Sequence, residues 1–385
     1  MIHLVTQEFP PTRGGAGSYC AEMADAAVRC GFPVTLWVPG GADRPAQPGI
    51  QLHTLPISRK QSLINRWKLR RFFRQTLPSR LREGDAVHLA EMGPLLTFMA
   101  FPHLGDSLSR QRLIVTLHGT EIRRFSHSFF WKSRFLGLLR RADRIHILSK
   151  YNQRSLLKAF PDLKDRILQS PGAPRHFMLE YEAERSPAKG DAPFEILSVA
   201  RIHPRKGQDQ LIRYLGGLPE NLRARIRLRL VGPIRRHAYF RSCVRLSRRL
   251  GVQAQFIHGC PDTELSRFYR QADVFCLTSM PAGKSVEGFG LVNLEAASFG
   301  LPVLAHALGG VEETLLHDST GFLVKPGDRA AFLDALLSLL DQPENLRSMG
   351  RAAREFSQNF RWETTARRLY SAGDSRDNQS VRTSP

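Results

Sequence analysis

Short apolar runs alternate with helix-length segments along almost the whole chain of 385 residues. Parallel strands are buried on both faces and occur as short runs rich in Val, Ile and Leu. Their alternation with helical segments predicts an α/β fold, with parallel sheets covered by helices on both faces. The expected strands are residues 2–5, 34–38, 86–89, 113–117, 145–148, 194–199, 226–231, 255–257, 274–277, 302–304 and 321–324, and the expected helices include 18–30, 208–215 and 330–340.

One break in this alternation predicts two domains. Between residues 170 and 193, Pro, Gly and charged residues cluster and the apolar periodicity stops, which is typical of a linker. Each side has the size of one doubly wound domain. We predict an N-terminal domain over 1–175, a linker over 176–193, a C-terminal domain over 194–355, a helix over 356–372 that returns to the first domain, and a disordered tail over 373–385.

The chain carries a large excess of basic residues, with a formal net charge of +21. This excess predicts an anionic partner, namely nucleic acid, a membrane surface or a phosphorylated ligand. Residues 1–180 hold 27 Lys and Arg against 13 Asp and Glu. Two stretches there, 59–82 and 123–144, mix basic residues with Trp, Phe and Leu, as do helices that dock on anionic lipid. A nucleic-acid-binding protein is kept as an alternative, but no nucleic acid is expected because most aromatic residues lie in predicted core.

Several classes of protein are excluded by the patterns that the chain lacks. Its five Cys residues are widely spaced and include no CxxC pair, which argues against a disulfide framework or a zinc ribbon and fits a reducing cytoplasm. No apolar run approaches the roughly 20 residues of a membrane span, and the N-terminus does not resemble a signal peptide. Neither the dinucleotide fingerprint nor a P-loop is present. We expect a cytoplasmic protein, peripheral at the inner face of the cytoplasmic membrane.

The most informative segment carries two glutamates, Glu287 and Glu295, around a Gly-Phe-Gly turn. Glycines let the backbone approach a ligand, and the N–H groups of Phe289, Gly290 and Leu291 are expected to open a helix and attract phosphate. Glu287 would lie in the loop and Glu295 on a buried helix, where a sugar diol would satisfy its carboxylate. An alternative stays open, in which Glu287 only favours the helix dipole and Glu295 forms a core salt bridge.

Three further sets of residues lie at predicted strand ends, which meet at the edge of a parallel sheet where ligands bind. Arg201 and Lys206 would clamp a diphosphate through a guanidinium fork and a point charge. His118 would project into the crevice between the domains. Gly14 and Gly15 connect the first strand to the first helix. The ordinary alternatives are a solvated basic loop, a structural histidine and a tight turn.

These residues resemble those of family 4 glycosyltransferases, which are retaining enzymes of the GT-B fold, and the similarity extends from Ile2 to about Tyr370. Arg201 and Lys206 resemble the phosphate clamp of the family, with Ala200 in place of the customary Gly. Gly14 and Gly15 resemble its acceptor-side glycine loop, and His118 occupies the position of its active-site histidine. The strongest similarity is the glutamate–seven–glutamate motif over 287–297, followed by segments 300–303, 309–313 and 318–324; residues 283–287 resemble those of lipid mannosyltransferases.

The resemblance implies two Rossmann-like doubly wound domains that face each other across a cleft. It implies a nucleoside-diphosphate sugar, UDP- or GDP-linked, as co-substrate, and neither a cofactor nor a metal is expected. The implied catalytic residues are His118, Arg201, Lys206 and Glu287. The implied donor-binding residues are Gly15, Gly288, Phe289, Gly290, Leu291, Glu295, Gly232 and Pro233, with Glu295 on the ribose and Gly232 and Pro233 beside the base, while Gly14 and Gly15 lie on the acceptor side.

The expected reaction transfers a hexose-type sugar with retention, by front-face attack of the acceptor beside the leaving phosphate. The basic first domain favours a lipid-linked or envelope glycan acceptor at an anionic membrane surface. A soluble acceptor, such as a sugar phosphate, a glucan or a small molecule, is the alternative. A catalytically inactive carbohydrate-binding relative is disfavoured, because all the charged clamp residues are present.

Overall fold

The computed structural model describes residues 1–11, 14–42, 48–58, 62–179, 192–281, 283 and 287–371. The chain divides into two compact units. Unit 1 comprises Met1–Gly172 and the segment that begins at Trp362, and unit 2 comprises Ala173–Arg361. Most of the predicted linker and all of the predicted disordered tail lie outside the described residues.

Unit 1 contains a parallel sheet of seven strands. The strands are β1 (Ile2–Val5), β2 (Val34–Pro39), β3 (Ile50–Leu55), β4 (Ala86–Leu89), β5 (Arg112–Leu117), β6 (Arg144–Ile147) and β7 (Ile167–Gln169), in the order β3-β2-β1-β4-β5-β6-β7. Its helices are α1 (Gly15–Arg29), α2 (Leu63–Arg71), α3 (Met92–Ala100), α4 (Thr120–Ser126), α5 (Lys132–Arg141), α6 (Lys150–Ala159) and, from the end of the chain, α15 (Trp362–Tyr370). The order reverses between β1 and β4, and ligands bind beyond the carboxyl ends of strands at such a switch point.

Unit 2 contains a parallel sheet of six strands with the same pattern of strand order. The strands are β8 (Phe194–Val199), β9 (Ile226–Val231), β10 (Ala254–Ile257), β11 (Val274–Leu277), β12 (Val303–His306) and β13 (Gly321–Val324), in the order β10-β9-β8-β11-β12-β13. Its helices are α7 (His176–Leu179), α8 (Gln208–Leu215), α9 (Glu220–Ala224), α10 (His237–Arg249), α11 (Asp262–Gln271), α12 (Leu291–Ser298), α13 (Arg329–Asp341) and α14 (Pro343–Ser357). The switch point lies between β8 and β11.

The predicted α/β class with two doubly wound parallel sheets is confirmed. Successive residues of β11 enter different hydrophobic clusters, Cys276 on one face of the sheet and Phe275 and Leu277 on the other, so both faces are covered. All eleven predicted strands are present, with ends that differ by one or two residues at most. The prediction missed β3 and β7, which form the two edges of the first sheet.

Helix α15 completes unit 1 from the far end of the sequence. It packs on α1, where Arg29 Nε lies 2.6 Å from Glu363 Oε1. The Tyr370 hydroxyl and His88 Nδ1, on β4, share a hydrogen bond of 2.8 Å. Trp362 and Tyr370 are both buried, so α15 is part of the core of this unit. None of the helices described is long and apolar enough to cross a bilayer.

Candidate active site

The loops that follow β8 and β11 lie side by side at the switch point of unit 2. The first passes through a 3-10 turn over Pro204–Lys206 to Gly207, whose φ of 65° favours glycine. A Cβ at Gly207 would lie 1.9 Å from the carbonyl oxygen of Thr278 in the second loop. Glycine is therefore required both by the backbone conformation and by the close approach of the two loops.

Glu287 accepts hydrogen bonds from both loops. Its Oε2 lies 2.6 Å from Lys206 Nζ and 3.0 Å from Ser279 Oγ, and Arg205 contacts it at 3.5 Å. Burial raises the pKa of Glu287, but the positive charges of Lys206 and Arg205 outweigh this effect and lower the pKa to about 2. Burial lowers the pKa of Lys206, and the Glu287 carboxylate opposes that shift. We conclude that the pair is ionised at neutral pH.

Arg201 lies in the same loop as Lys206, with an exposed side chain. Its carbonyl accepts a hydrogen bond of 3.0 Å from Gln208 Nε2, which fixes the start of the loop against α8. The charges of Arg205 and Arg201 both help to lower the pKa of Lys206. Lys206 and Arg205 thus contact the Glu287 carboxylate, and the charge of Arg201 acts on Lys206 from the same loop. This excess of positive charge makes this edge of the sheet attractive to anions.

Gly232 and Pro233, which follow β9, lie against the beginning of the same loop. A Cβ at Gly232 would lie 2.1 Å from the Ala200 carbonyl oxygen, so a larger residue would push the two loops apart. The Ile202 N–H donates to the Pro233 carbonyl at 2.9 Å. The structure therefore places these two predicted residues beside the cationic loop.

The Gly-Phe-Gly turn leads into α12, but the helix begins later than predicted. Leu291 is the first helical residue, and Gly290 precedes it with a φ of 90°. The expectation that the helix opens at Phe289 is wrong, because this residue lies before the cap residue Gly290. The backbone of Gly310 packs against that of Gly288, since a Cβ at Gly310 would lie 2.3 Å from the Gly288 carbonyl oxygen.

Glu295 lies on α12 and is held by two side chains that the sequence analysis did not identify. Its Oε1 accepts a hydrogen bond of 2.9 Å from Arg175 Nε, and its Oε2 accepts one of 3.0 Å from the Tyr269 hydroxyl. Arg175 also bonds Asp262 at 2.8 Å. The salt-bridge alternative therefore describes a real contact. Oε2 also faces Arg175 Nη2 at 3.5 Å, so Oε1 is the oxygen with a further lone pair to offer.

The predicted residues of unit 1 lie at the ends of β1 and β5. His118 follows β5, and its Nε2 lies 2.9 Å from the Ala90 carbonyl oxygen. Because a carbonyl only accepts, Nε2 is the donor of this hydrogen bond. Gly15 begins α1 after Gly14, and a Cβ at Gly15 would meet no described atom within 4 Å.

Sequence reasoning missed Arg205, Ser279, Arg175 and Tyr269. Arg205 is adjacent to Lys206 in the His-Pro-Arg-Lys segment, which was a usable signal. Arg175 lies 120 positions from Glu295 and no pattern links the two. In the described part of the chain, no group of three or more His, Cys, Asp or Glu side chains is arranged to hold a metal.

Comparison with known proteins identifies the family. A family model described as "Glycosyl transferases group 1" matches residues 181–356, and one described as "Glycosyltransferase Family 4" matches residues 13–168. The chain is 30% identical to the GDP-mannose-dependent alpha-(1-6)-phosphatidylinositol monomannoside mannosyltransferase of Mycolicibacterium smegmatis, over 95% of this chain and 96% of that protein.

Two further similarities are informative. The D-inositol 3-phosphate glycosyltransferase of Kribbella flavida is 36% identical over 45% of this chain and 42% of that protein. The sucrose-phosphate synthase structure from Thermosynechococcus elongatus has a TM-score of 0.75 and 21% identity, and covers 96% of each chain, which shows the fold alone.

The two doubly wound units and the matched families together define a GT-B glycosyltransferase that uses a nucleotide sugar. Within this class, the chain belongs to glycosyltransferase family 4.

Proposed function

We propose that the protein transfers a mannose-type hexose, with retention and without a metal, from a nucleoside-diphosphate sugar to a lipid-linked or envelope glycan acceptor at the inner face of the cytoplasmic membrane. The observation that carries the donor part is the pairing of Lys206 and Arg205 with Glu287, beside the N-terminus of α12, with Arg201 in the same loop as Lys206. Fixed positive charge aimed at a leaving diphosphate stabilises the charge that develops in the transition state. Neither a cofactor nor a divalent cation is needed in this scheme.

In the proposed donor complex, Arg201 and Lys206 bind the diphosphate, and Glu287 and the start of α12 hold the sugar. Glu295, oriented by Arg175 and Tyr269, accepts the ribose hydroxyls, while Gly232 and Pro233 border the base. Gly15 would approach the donor phosphates, and no described atom lies within 4 Å of the position that a Cβ there would take. The acceptor hydroxyl attacks from the face of the departing phosphate, with His118 and Gly14 on the acceptor side.

The donor is proposed to be GDP-mannose because the Mycolicibacterium smegmatis relative is named as GDP-mannose-dependent. A thermal-shift panel of GDP-, UDP- and ADP-sugars tests this choice. A ligand present at 100 times its dissociation constant stabilises by about 2.7 kcal/mol. Stabilisation by GDP-mannose that persists in EDTA is expected. Preference for a UDP-sugar would correct the donor, and activity lost in EDTA but restored by Mg²⁺ or Mn²⁺ would contradict metal independence.

The membrane part of the proposal is supported by where exposed apolar residues lie. Five of the seven large apolar side chains described as exposed fall in the two basic stretches 59–82 and 123–144. Leu63, Ile64 and Trp67 on α2 are 66%, 68% and 57% exposed, and Phe129 and Phe130 are exposed just before α5. Basic helices with exposed apolar side chains are suited to an anionic lipid surface.

A soluble acceptor is the second candidate. The Kribbella relative is named as acting on D-inositol 3-phosphate, whereas the Mycolicibacterium relative is named as acting on a phosphatidylinositol mannoside. Assays of sugar transfer from GDP-mannose to each type of compound separate the two. Transfer to the free phosphate with none to the lipid would favour the soluble acceptor.

A further inference from the structure

Unit 1 has a cavity at its own switch point, where the ends of β1 and β4 separate. The cavity has a volume of about 230 Å³, and its lining includes Gln7 after β1 and Gly93 at the start of α3 after β4. Ser62 and Arg66 of the α2 region line it as well, together with Arg124 and Trp131 from the region of α4 and α5. It thus lies where this fold binds ligands.

The floor of the cavity is held by the buried carboxyl group of Glu91, whose pKa burial raises to about 8. Glu91 accepts hydrogen bonds of 2.8 Å from the backbone N–H groups of both Gln7 and Gly93. A Cβ at Gly93 would lie only 1.9 Å from Gln7 Oε1, so glycine is needed for the Gln7 side chain to occupy its place. The Gln7 amide also donates to the Ser58 carbonyl at 3.2 Å. These contacts fix a polar floor before any ligand arrives.

Two guanidinium groups lie at the walls. Arg66 projects from α2 and Arg124 from α4, and both line the cavity. Within the described part of the chain, neither has a carboxylate partner, in contrast to Arg29 with Glu363 and Arg140 with Asp162. Arg124 instead lies over the Phe125 ring at 5.6 Å. A polar cavity that has two guanidinium forks and no carboxylate among its described lining residues is complementary to a phosphate ester.

Exposed apolar side chains adjoin two of the lining residues in sequence. Leu63 and Ile64 follow Ser62 directly, and Phe129 and Phe130 precede Trp131. An acyl chain attached to a phosphate bound in the cavity would therefore meet apolar surface where it leaves. We propose that this cavity binds the phosphate-bearing polyol headgroup of the acceptor, with Arg66 and Arg124 sharing the phosphate. The assignment rests on the proposed function, since it places the acceptor in unit 1.

The test is calorimetric titration of the full chain with three probes: short-chain phosphatidylinositol below its micellar concentration, inositol 1-phosphate, and neutral inositol. Arg66→Gln and Arg124→Gln are each expected to weaken binding of phosphorylated probes by about tenfold, because a charge-assisted hydrogen bond is lost. Lys68→Gln and Arg123→Gln are matched controls, since these cations are neighbours in sequence but do not line the cavity. Neutral inositol is expected to bind at least about tenfold more weakly than the phosphorylated probes.

Tighter binding of phosphatidylinositol than of inositol 1-phosphate would indicate that the bound phosphate belongs to a lipid. Equal affinity for these two probes would indicate a soluble phosphate ester. Equal affinity of wild type and both cavity variants, or equal affinity for neutral inositol, would overturn the assignment. Gly93→Ala, which displaces Gln7, gives a second variant with both arginines intact and is expected to weaken the same probes.

Stabilisation by GDP-mannose is measured in parallel and is expected to be unchanged in the cavity variants. If the wild type binds phosphorylated probes but gains no stability from any nucleotide sugar, the proposed function fails and the anion site stands. If nucleotide sugars stabilise the protein but the probes do not bind, only the cavity assignment fails.

Discussion

Lys206 contributes charge to the proposed donor site while remaining paired. An ammonium group has three donors, and one is given to Glu287 at 2.6 Å. The other two donors are suited to phosphate oxygens. Arg205 also contacts Glu287, so its charge helps to neutralise the carboxylate. A single residue is thereby anchored by the protein and still able to bind an anionic ligand.

Removing either proposed clamp residue should impair the chemical step. Arg201→Ala and Lys206→Ala are each expected to lower turnover by about a hundredfold, because each removes positive charge from the leaving diphosphate. The measurement is kcat for sugar transfer, with melting temperature as the check on folding. Arg347→Ala, which removes an exposed arginine on α14, is the charge-matched control. Near wild-type turnover in a folded Lys206→Ala variant would contradict the assignment.

The Lys206–Glu287 pair should also leave a signature in acid. The pKa of Glu287 is about 2 in the folded protein and near 4.5 when unfolded, so its contribution to stability is complete above pH 4.5. That contribution, at most about 3 kcal/mol, should be lost as the pH falls towards about 2. The stability gap between wild type and Glu287→Gln, measured by urea unfolding, should therefore narrow over this range. A gap that stays constant down to pH 3 would argue against an ionised pair.

The contacts of the site that follow from the strand order could be predicted from the sequence, and the others could not. Lys206 and Glu287 are 81 positions apart, yet both follow neighbouring strands, so their proximity follows from the strand order. The bond between Arg175 and Glu295 does not follow from strand order, because Arg175 precedes the first strand of its unit. Such a contact depends on the path of one connecting segment, which leaves no periodic trace in the sequence.

At the scale of elements, buried strands were predictable and edge strands were not. β11 is buried throughout and has an unbroken apolar sequence. β3 alternates buried ends with exposed and half-exposed residues in its middle, and β7 has only three residues. An edge strand needs apolar residues on fewer positions, since one side of its backbone faces no neighbouring strand. Its sequence therefore resembles that of a loop.

Helix α2 carries a prediction of its own, about membranes. The triple substitution Leu63→Ser, Ile64→Ser and Trp67→Ser should reduce binding to phosphatidylglycerol vesicles at least about tenfold, because apolar area that would enter the lipid is lost. Co-sedimentation at low salt measures this. Leu316→Ser is the matched control, because Leu316 is also an exposed leucine but lies in unit 2.

The basic residues of the same helix should act through charge. The double variant Lys68→Glu, Arg71→Glu should bind phosphatidylglycerol vesicles more weakly than the wild type. The difference should be larger at low salt than at high salt, because each basic residue contributes about 1 kcal/mol that salt screens. Arg66 is left unchanged in both sets, so that the cavity stays intact. If the wild type does not bind anionic vesicles even at low salt, docking is refuted and a soluble acceptor is favoured.

At the scale of the molecule, unit 2 is continuous in sequence and unit 1 is not. A fragment of residues 173–361 is expected to fold alone and to be stabilised by GDP, because it contains its whole sheet and the Lys206–Glu287 cluster. A chain ending at Arg361 should have a damaged unit 1, since it lacks the buried side chains of Trp362, Leu369 and Tyr370.

The expected cost of that truncation is about 6 kcal/mol, which is within the range of the whole stability of a domain. Calorimetric melting of the truncated chain is expected to keep the unit 2 transition and to lose or lower the other. Two transitions at wild-type temperatures would show that α15 is dispensable.

The late position of α15 has a consequence for synthesis on the ribosome. The sheet of unit 1 leaves the ribosome first, but its last helix is translated only after all of unit 2. At about 5–20 residues per second, that interval lasts roughly 10 to 40 s. During this time the surface on α1 and around His88 that α15 will later bury stays exposed to solvent. The nascent chain should therefore be a client for chaperones that bind exposed apolar surface, until the final helix emerges.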